Sequence, residues 1–315
     1  MDVGVIVPQG WIGEYAGWDT DAAWQRTLEV ARTTERLGFE SLWVYDHFHT
    51  TPEPSNELTF ESFVTLAGLA SVTHRVRLGH VVTCAGFRNP ALVAKMISQL
   101  DVLSGGRMVM GIGAGWKREE WEAYGYPFPD THERLGRLKD ALEILVRMLH
   151  GSGPATYAGT YSSVNGAINL PRPLQQDMPL MVGGNGRRVT WALAARYADE
   201  LNLDAIPPAA LAESMGAIRD HCIAVGRDPS SLRVSVHLWT RDSDWLRPTG
   251  EHTLSMVELL ERYREAGVAR VMALVPGSVD GDASLEAFAQ AASEAGCGQS
   301  ETLDDVPIAF EASPV

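Results

Sequence analysis

Residues 106–121, GRMVMGIGAGWKREEW, join an apolar run to a cluster of alternating glycines. The run from 107 to 113 predicts a buried strand whose carboxyl end has almost no side chains. A dinucleotide fingerprint, G-x-G-x-x-G, is excluded because Trp116 stands where the third glycine must let helix and strand approach. No Gly-Lys-Ser/Thr follows, which excludes a Walker-type phosphate loop. The stretch therefore predicts a strand end on which a flat ring can lie, with Trp116 as a wall; a tight turn at a barrel rim is the alternative.

The alternation of apolar strand and amphipathic helix continues on both sides of this stretch. Strands are predicted at 3–8, 41–45, 76–83, 107–113, 179–184, 200–204, 232–240 and 270–275. Helices are predicted at 20–37, 59–71, 90–103, 131–150, 187–197, 208–224, 251–266 and 283–295. Gly38 and Gly267 each follow a predicted helix, as C-terminal caps do. This alternation favours a closed (β/α)8 TIM barrel, and an open doubly wound sheet is the alternative.

Two segments do not fit the repeat. Residues 116–130 and 151–178, the second rich in Gly, Pro, Tyr and Asn, are predicted to be insertions. The first follows the fourth strand and is therefore expected over the carboxyl-terminal mouth of the barrel. Residues 1–298 are predicted to form one barrel domain, and 299–315 a weakly ordered tail.

Composition and charge restrict the classes of function. With 40 acidic residues against 26 lysines and arginines, a net charge of −14 argues against nucleic acid as a partner. The three cysteines, Cys84, Cys222 and Cys297, are too far apart for a disulfide framework or a metal site. No apolar run is long enough to span a bilayer, and no signal peptide is recognisable at the start. We expect a cytoplasmic protein without a bound metal or a membrane partner.

A second glycine cluster, VGGNGRR at 182–188, stands between a predicted strand and a predicted helix. Backbone amides at a helix start attract anions, and Arg187 and Arg188 add positive charge. The cluster predicts a phosphate cradle, and a simple glycine-rich turn is the alternative.

The titratable candidates follow the second predicted strand, in YDHFHT. Asp46 and His47 close that strand, where a barrel presents its catalytic groups. Histidine side chains titrate near neutral pH, so His47 is predicted to exchange a proton with a substrate or to hydrogen-bond a cofactor ring. A purely supporting Asp–His pair is the alternative, and His49 is a further candidate.

These stretches, together with LWVYDHFHT, RVRLGHVVTCAGFRNPALVAKMISQLDVLSGGR and HCIAVGRDPSSL, resemble the bacterial luciferase-like monooxygenase superfamily. The similarity is to its actinobacterial branch of oxidoreductases that use the deazaflavin coenzyme F420. The resemblance implies a (β/α)8 barrel, a homodimer, a cofactor at the carboxyl ends of the strands with its phosphate at GGNG, and a cis peptide between Val81 and Val82. The implied cofactor contacts are Gln9, Val81, Val82, Thr83, Gly113, Ala114, Gly115, Trp116, Gly183, Gly184, Asn185, Gly186 and Arg187.

The chain also departs from one group of that superfamily. The sugar-phosphate dehydrogenases carry a proton-donating Glu after the GxGxG segment, where this chain has Trp116, and a Trp after the Asp–His pair, where it has Thr50 and Thr51. A sugar-phosphate reaction is therefore not expected. The pocket is instead expected to be apolar, with wall residues drawn from Trp11, Trp116, Trp121, Tyr124 and Trp239.

The resemblance implies hydride transfer between F420 and a small organic substrate. A reduced-FMN monooxygenase of the same fold and a non-catalytic flavin-binding protein are the alternatives. The anionic tail of F420 needs cations beyond the phosphate, for which Arg187, Arg188, Lys117 and Arg118 are the candidates.

Overall fold

The computed structural model describes residues 1–239 and 254–298. Its parallel barrel strands are β1 (Asp2–Ile6), β2 (Ser41–Val44), β3 (Arg77–His80), β5 (Met108–Gly113), β8 (Leu180–Gly183), β9 (Glu200–Asp204), β10 (Arg233–Leu238) and β11 (Arg270–Leu274). They pair in the order β3-β2-β1-β11-β10-β9-β8-β5, and β3 also pairs with β5. That last pairing closes the sheet, so the (β/α)8 barrel is confirmed and the open sheet is excluded.

Helices surround the barrel. They are α1 (Thr20–Arg36), α2 (Ser62–Val72), α3 (Pro90–Ser104), α4 (Arg118–Ala123), α5 (Thr131–Leu149), α6 (Thr190–Tyr197), α7 (Pro208–Ala224), α8 (Met256–Glu265) and α9 (Ala283–Glu294). The predicted caps Gly38 and Gly267 have φ of 82° and 85°, the left-handed conformation that glycine tolerates best. In the described residues, no helix is long and apolar enough to cross a membrane.

The two insertions contain structure that the sequence pattern did not predict. Segment 116–130 holds α4, and segment 151–178 holds an antiparallel hairpin of β6 (Ala155–Ala158) and β7 (Ser163–Ala167). A two-residue strand, β4 (Thr83–Cys84), pairs with β5 beyond the end of β3. The predicted tail, 299–315, and residues 251–253 of a predicted helix lie outside the described residues.

Large side chains fill the lower part of the barrel interior, so that open space remains at one end of the barrel. Trp43, Val109, Met181 and Met272 are buried in a cluster separate from the shell between strands and helices. A Cβ on Gly79 would stand 2.5 Å from the Trp43 ring, so this glycine makes room for the indole. Because the lower interior is packed, a ligand can enter only at the carboxyl ends of the strands.

Candidate functional site

A cavity of about 340 Å³ opens at the carboxyl ends of the barrel strands. Such a volume is within the range of sites for small molecules and cofactors. Most of the residues that we predicted for the site line it: Asp46, His47, Val81, Val82, Thr83, Gly113, Ala114, Gly115, Trp116, Gly183, Gly184, Asn185 and Gly186. The structure therefore brings both glycine clusters and the Asp–His pair to one cavity.

The floor of the cavity is a ridge formed by Val82. A Cβ on Gly113 or on Gly183 would stand 2.7 Å from the Val82 side chain, so both neighbouring strands need glycine here. The peptide bond between Val81 and Val82 is cis, as the resemblance implied. Glycines on both sides of an apolar ridge give a surface on which a flat ring can lie against backbone.

Asp46 lies beneath this ridge and is occupied by structural contacts. Its carboxylate accepts hydrogen bonds from Arg88 at 2.8 and 3.0 Å, from the Ser62 hydroxyl at 2.8 Å and from the Cys84 amide at 2.9 Å. Burial alone would raise the pKa of Asp46, but the charge and hydrogen bonds of Arg88 outweigh it and lower that pKa. The geometry favours a supporting role, and a catalytic role for Asp46 stays a prediction.

Two predicted cofactor contacts, Gln9 and Arg187, do not line the cavity. The Gln9 side-chain nitrogen donates to the carbonyls of Tyr45 and Phe60, and its oxygen accepts from the Tyr45 amide. These contacts connect two loops and are structural. Arg187 forms an ion pair with Glu213 on α7. The expectation that both touch the cofactor has no support in these contacts.

His47 has a partner that sequence reasoning missed. Its Nδ1 lies 2.6 Å from Glu120 Oε2, and the other oxygen of that carboxylate accepts a 2.9 Å hydrogen bond from the Phe48 amide. Burial raises the pKa of Glu120, but the hydrogen bond and charge of His47 and the Phe48 amide lower it more, so the carboxylate stays ionised at neutral pH. An ionised carboxylate can only accept a hydrogen bond, which assigns a proton to Nδ1 and leaves Nε2 as the nitrogen available to a ligand.

The ring of His47 is also fixed from its faces. Trp11 stacks on it with ring centroids 4.3 Å apart and planes 5° apart, and Trp116 approaches edge-on at 5.9 Å. Trp116 is 59% exposed at the rim, as expected of a wall residue. Although Trp116 cannot donate a carboxyl proton, Glu120 on α4 supplies a carboxylate to His47.

Replacing Glu120 with glutamine removes the charge beside His47 and keeps the shape. Because the carboxylate fixes the proton of His47 on Nδ1, we expect Glu120→Gln to lower turnover while the affinity for F420 stays near the wild-type value. Glu119→Gln, an exposed neighbour on the same helix, is the matched control and should keep wild-type turnover. Wild-type turnover in Glu120→Gln would show that the pair does not act as one unit.

The predicted phosphate cradle is open. No side chain caps the start of α6; the Trp191 amide donates to the Gly186 carbonyl, and no side chain occupies the other amides of the first turn. Gly184 has φ of +131°, and the nearest atom that a Cβ there would meet is Thr190 Cγ2 at 3.5 Å. The loop therefore has the backbone shape and the space that a phosphate requires.

The cations predicted for an anionic tail are only partly placed for it. Lys117 is buried and its Nζ donates to the Thr50 carbonyl at 2.9 Å. Arg118 pairs with Glu122 and lies over the Phe128 ring. Arg134, which sequence reasoning missed, lines the cavity from α5 and has a buried Nε without a partner.

Aromatic walls, a glycine-flanked ridge, an uncapped helix start and a fixed histidine meet in one cavity at the mouth of this (β/α)8 barrel. A family profile described as luciferase-like monooxygenase matches residues 1–244, and the chain belongs to this family.

Relatives and solved structures are similar to the chain over different lengths. An F420-dependent glucose-6-phosphate dehydrogenase of Kineococcus radiotolerans is 34% identical over 52% of this chain, and the match spans about half of that enzyme, 48%. A 5,10-methylenetetrahydromethanopterin reductase of Methanopyrus kandleri is 27% identical over 67% of this chain and 61% of its own length. A structure of an F420-dependent secondary alcohol dehydrogenase with an F420-acetone adduct shares the fold, with a TM-score of 0.77 at 20% identity over 93% of this chain and 98% of its own.

Proposed function

We propose that this protein is an oxidoreductase that transfers a hydride between the deazaflavin F420 and a small organic substrate. One observation carries the proposal: the Val82 ridge, flanked by Gly113 and Gly183, lies in the same cavity as the uncapped start of α6. His47 lines that cavity too. Relatives named as F420-dependent enzymes support the choice of cofactor.

When bound, the deazaflavin supplies a ring carbon that donates or accepts the hydride. The ridge at Val82 would support the ring, and the amides of Asn185 and Gly186 would bind the phosphate, because the Gly184 amide already donates to the Asn202 carbonyl. Trp11 and Trp116 exclude water from the face beside His47. His47 Nε2 exchanges a proton with the substrate heteroatom. Glu120 accepts a hydrogen bond from Nδ1, so the proton that is exchanged with the substrate is confined to Nε2.

A reduced-FMN monooxygenase is the second candidate, because the family as a whole is named for that activity. FMN shares the tricyclic ring, the ribityl chain and the phosphate, so the ridge and the loop accept either molecule. The two differ beyond the phosphate, where F420 carries an anionic tail, and the cations that we propose for that tail are Arg134, which lines the cavity, and Arg188, which is exposed next to the loop at 183–186.

We expect the protein to bind F420 at least about ten-fold more tightly than FMN, a difference of roughly 1.4 kcal/mol. The ratio of the F420 affinity to the FMN affinity should fall as salt is added, because exposed charges are screened over roughly 8 Å at physiological ionic strength. Fluorescence titration with each cofactor at low and high salt measures both effects. Equal or tighter binding of FMN, with oxygen-dependent turnover of reduced FMN, would establish the monooxygenase instead.

We also propose a cytoplasmic homodimer. Apolar side chains are exposed on two adjacent helices: Val64 on α2 at 70%, and Leu92 and Leu103 on α3 at 53% and 57%. Apolar side chains grouped on one face favour a protein contact, and a second copy is the partner that the resemblance implies.

A further inference from the structure

One wall of the cavity contains polar side chains that have no role in the chemistry described so far. This substrate wall consists of Trp11, Tyr45, Asp204, His237 and Trp239, all of which line the cavity. The Trp11 ring lies 5.0 Å from Trp239 and 4.4 Å from Tyr45, and the Tyr45 ring lies 6.3 Å from His237. The wall is thus mainly aromatic, with one carboxylate and one imidazole set into it.

His237 is held from both sides by side chains of β9. Asn202 donates its amide to the Ser235 hydroxyl at 3.0 Å, which turns its oxygen toward His237 Nδ1 at 2.7 Å. His237 Nε2 lies 3.3 Å from Asp204 Oδ1, and Trp239 Nε1 donates to the same oxygen at 3.0 Å. Both of these contacts use Oδ1, and the Asp204 side chain is 47% exposed. Its second oxygen, Oδ2, is therefore the atom that we assign to a ligand.

The backbone of Asp204 is held by Asn185, which lies in the glycine-rich loop at 183–186. The Asn185 side chain donates to the Asp204 carbonyl at 2.8 Å and accepts from the Asp204 amide at 2.9 Å. The next residue, Ala205, has φ of 43°, a left-handed conformation that costs energy for any residue but glycine. Backbone held in this way presents one orientation of Asp204 to the cavity.

The charges around the wall disfavour an anion. Asp204 places a carboxylate in the wall itself. Burial first, and then the charges of Asp204 and Glu14, raise the pKa of the Tyr45 hydroxyl in the same wall. An anionic group placed against Asp204 would lose its hydration and meet a like charge at short range.

We propose that Asp204 is the substrate-recognition residue of this site and that it selects uncharged or cationic molecules bearing a hydroxyl or an amine, rather than phosphates or carboxylates. This inference rests on the proposed oxidoreductase function. His237 and Trp239 hold one oxygen of Asp204, and the substrate donates its hydrogen to the other. Glucose 6-phosphate, named in the dehydrogenase relative, is then not a substrate here.

The test uses three probes of one shape. Cyclohexanol, cyclohexylamine and cyclohexyl phosphate are titrated by calorimetry into protein loaded with F420. We expect the alcohol and the amine to bind at least about ten-fold more tightly than the phosphate, since like charges a few ångströms apart cost more than 1.4 kcal/mol near a protein surface. A phosphate that binds as tightly as the alcohol overturns the inference. Failure to load F420 counts against the proposed function, and it is measured before any probe is added.

Variants locate the selectivity at one residue. Asp204→Asn keeps the shape and removes the charge, and it should narrow the gap between cyclohexanol and cyclohexyl phosphate by about ten-fold. Asp177→Asn, an exposed carboxylate just before the amino end of β8 and therefore at the other end of the barrel, is the charge-matched control and should leave the gap unchanged. If both variants narrow the affinity gap equally, the selectivity comes from the net charge of the protein, and Asp204 is not the substrate-recognition residue.

Discussion

Turnover of the His47→Ala variant is expected to fall by a factor on the order of 10² to 10⁴, the typical contribution of general acid or base catalysis. The affinity for F420 should stay near the wild-type value, because we propose that the Val82 ridge and the loop at 183–186 bind the cofactor. The physical reason is that a proton donor fixed by Glu120 at 2.6 Å stabilises mainly the transition state. Steady-state kinetics and a cofactor titration on the same preparation separate the two effects.

His49→Ala is the control for this substitution. His49 lies two residues further on, and its Nδ1 is hydrogen-bonded to the Thr50 carbonyl. It should lose far less activity than His47→Ala. Wild-type turnover in His47→Ala across the pH range would reduce His47 to a structural residue.

Gly184→Val is expected to weaken F420 binding by roughly 30-fold to 150-fold, or about 2 to 3 kcal/mol, while the barrel remains folded. A φ of +131° is unfavourable for any residue with a Cβ, and most unfavourable for a β-branched one. The valine side chain would also enter the space where the phosphate is proposed to lie. Fluorescence titration measures the affinity, and circular dichroism reports the fold.

Gly226→Val provides the matched control. Gly226 has φ of +73°, and a Cβ there would meet no atom within 4 Å, so the variant has comparable backbone strain without a ligand nearby. It should lose stability and keep its affinity for F420. Unchanged affinity in a folded Gly184→Val variant would remove the loop from the cofactor site.

Hydrophobic periodicity predicted the barrel because each barrel strand is buried on both faces and each long helix on one. The hairpin at 155–167 was missed for the same reason: its strands are mostly exposed, so they have no apolar alternation to detect. Glycine patterns predicted the cradle because backbone geometry is a local property. The short helix α4 was hidden in a segment rich in charge, where no apolar face marks it.

Side-chain pairs far apart along the chain could not be predicted. Glu120 is 73 residues from His47, and only the closed barrel brings α4 over the end of β2. Arg187 was predicted to bind an anion from its position beside the glycine cluster. The sequence pattern does not reveal its ion-pair partner, Glu213, which is 26 residues away on the next helix. The sequence offered one signal for Glu120: it is an acidic residue shortly after GxGAGW, in a segment expected at the mouth of the barrel.

Hydrogen–deuterium exchange with and without F420 tests the location of the cofactor most directly. Amides of residues 82–84, 113–116 and 184–190 should be protected together when F420 is added, while those of the hairpin at 155–167 should exchange at an unchanged rate. Protection of all three segments is the predicted result, because the ridge, the glycine strand end and the phosphate loop meet in one cavity. Binding of F420 that leaves these segments unprotected, or protects a different face of the barrel, would contradict the account.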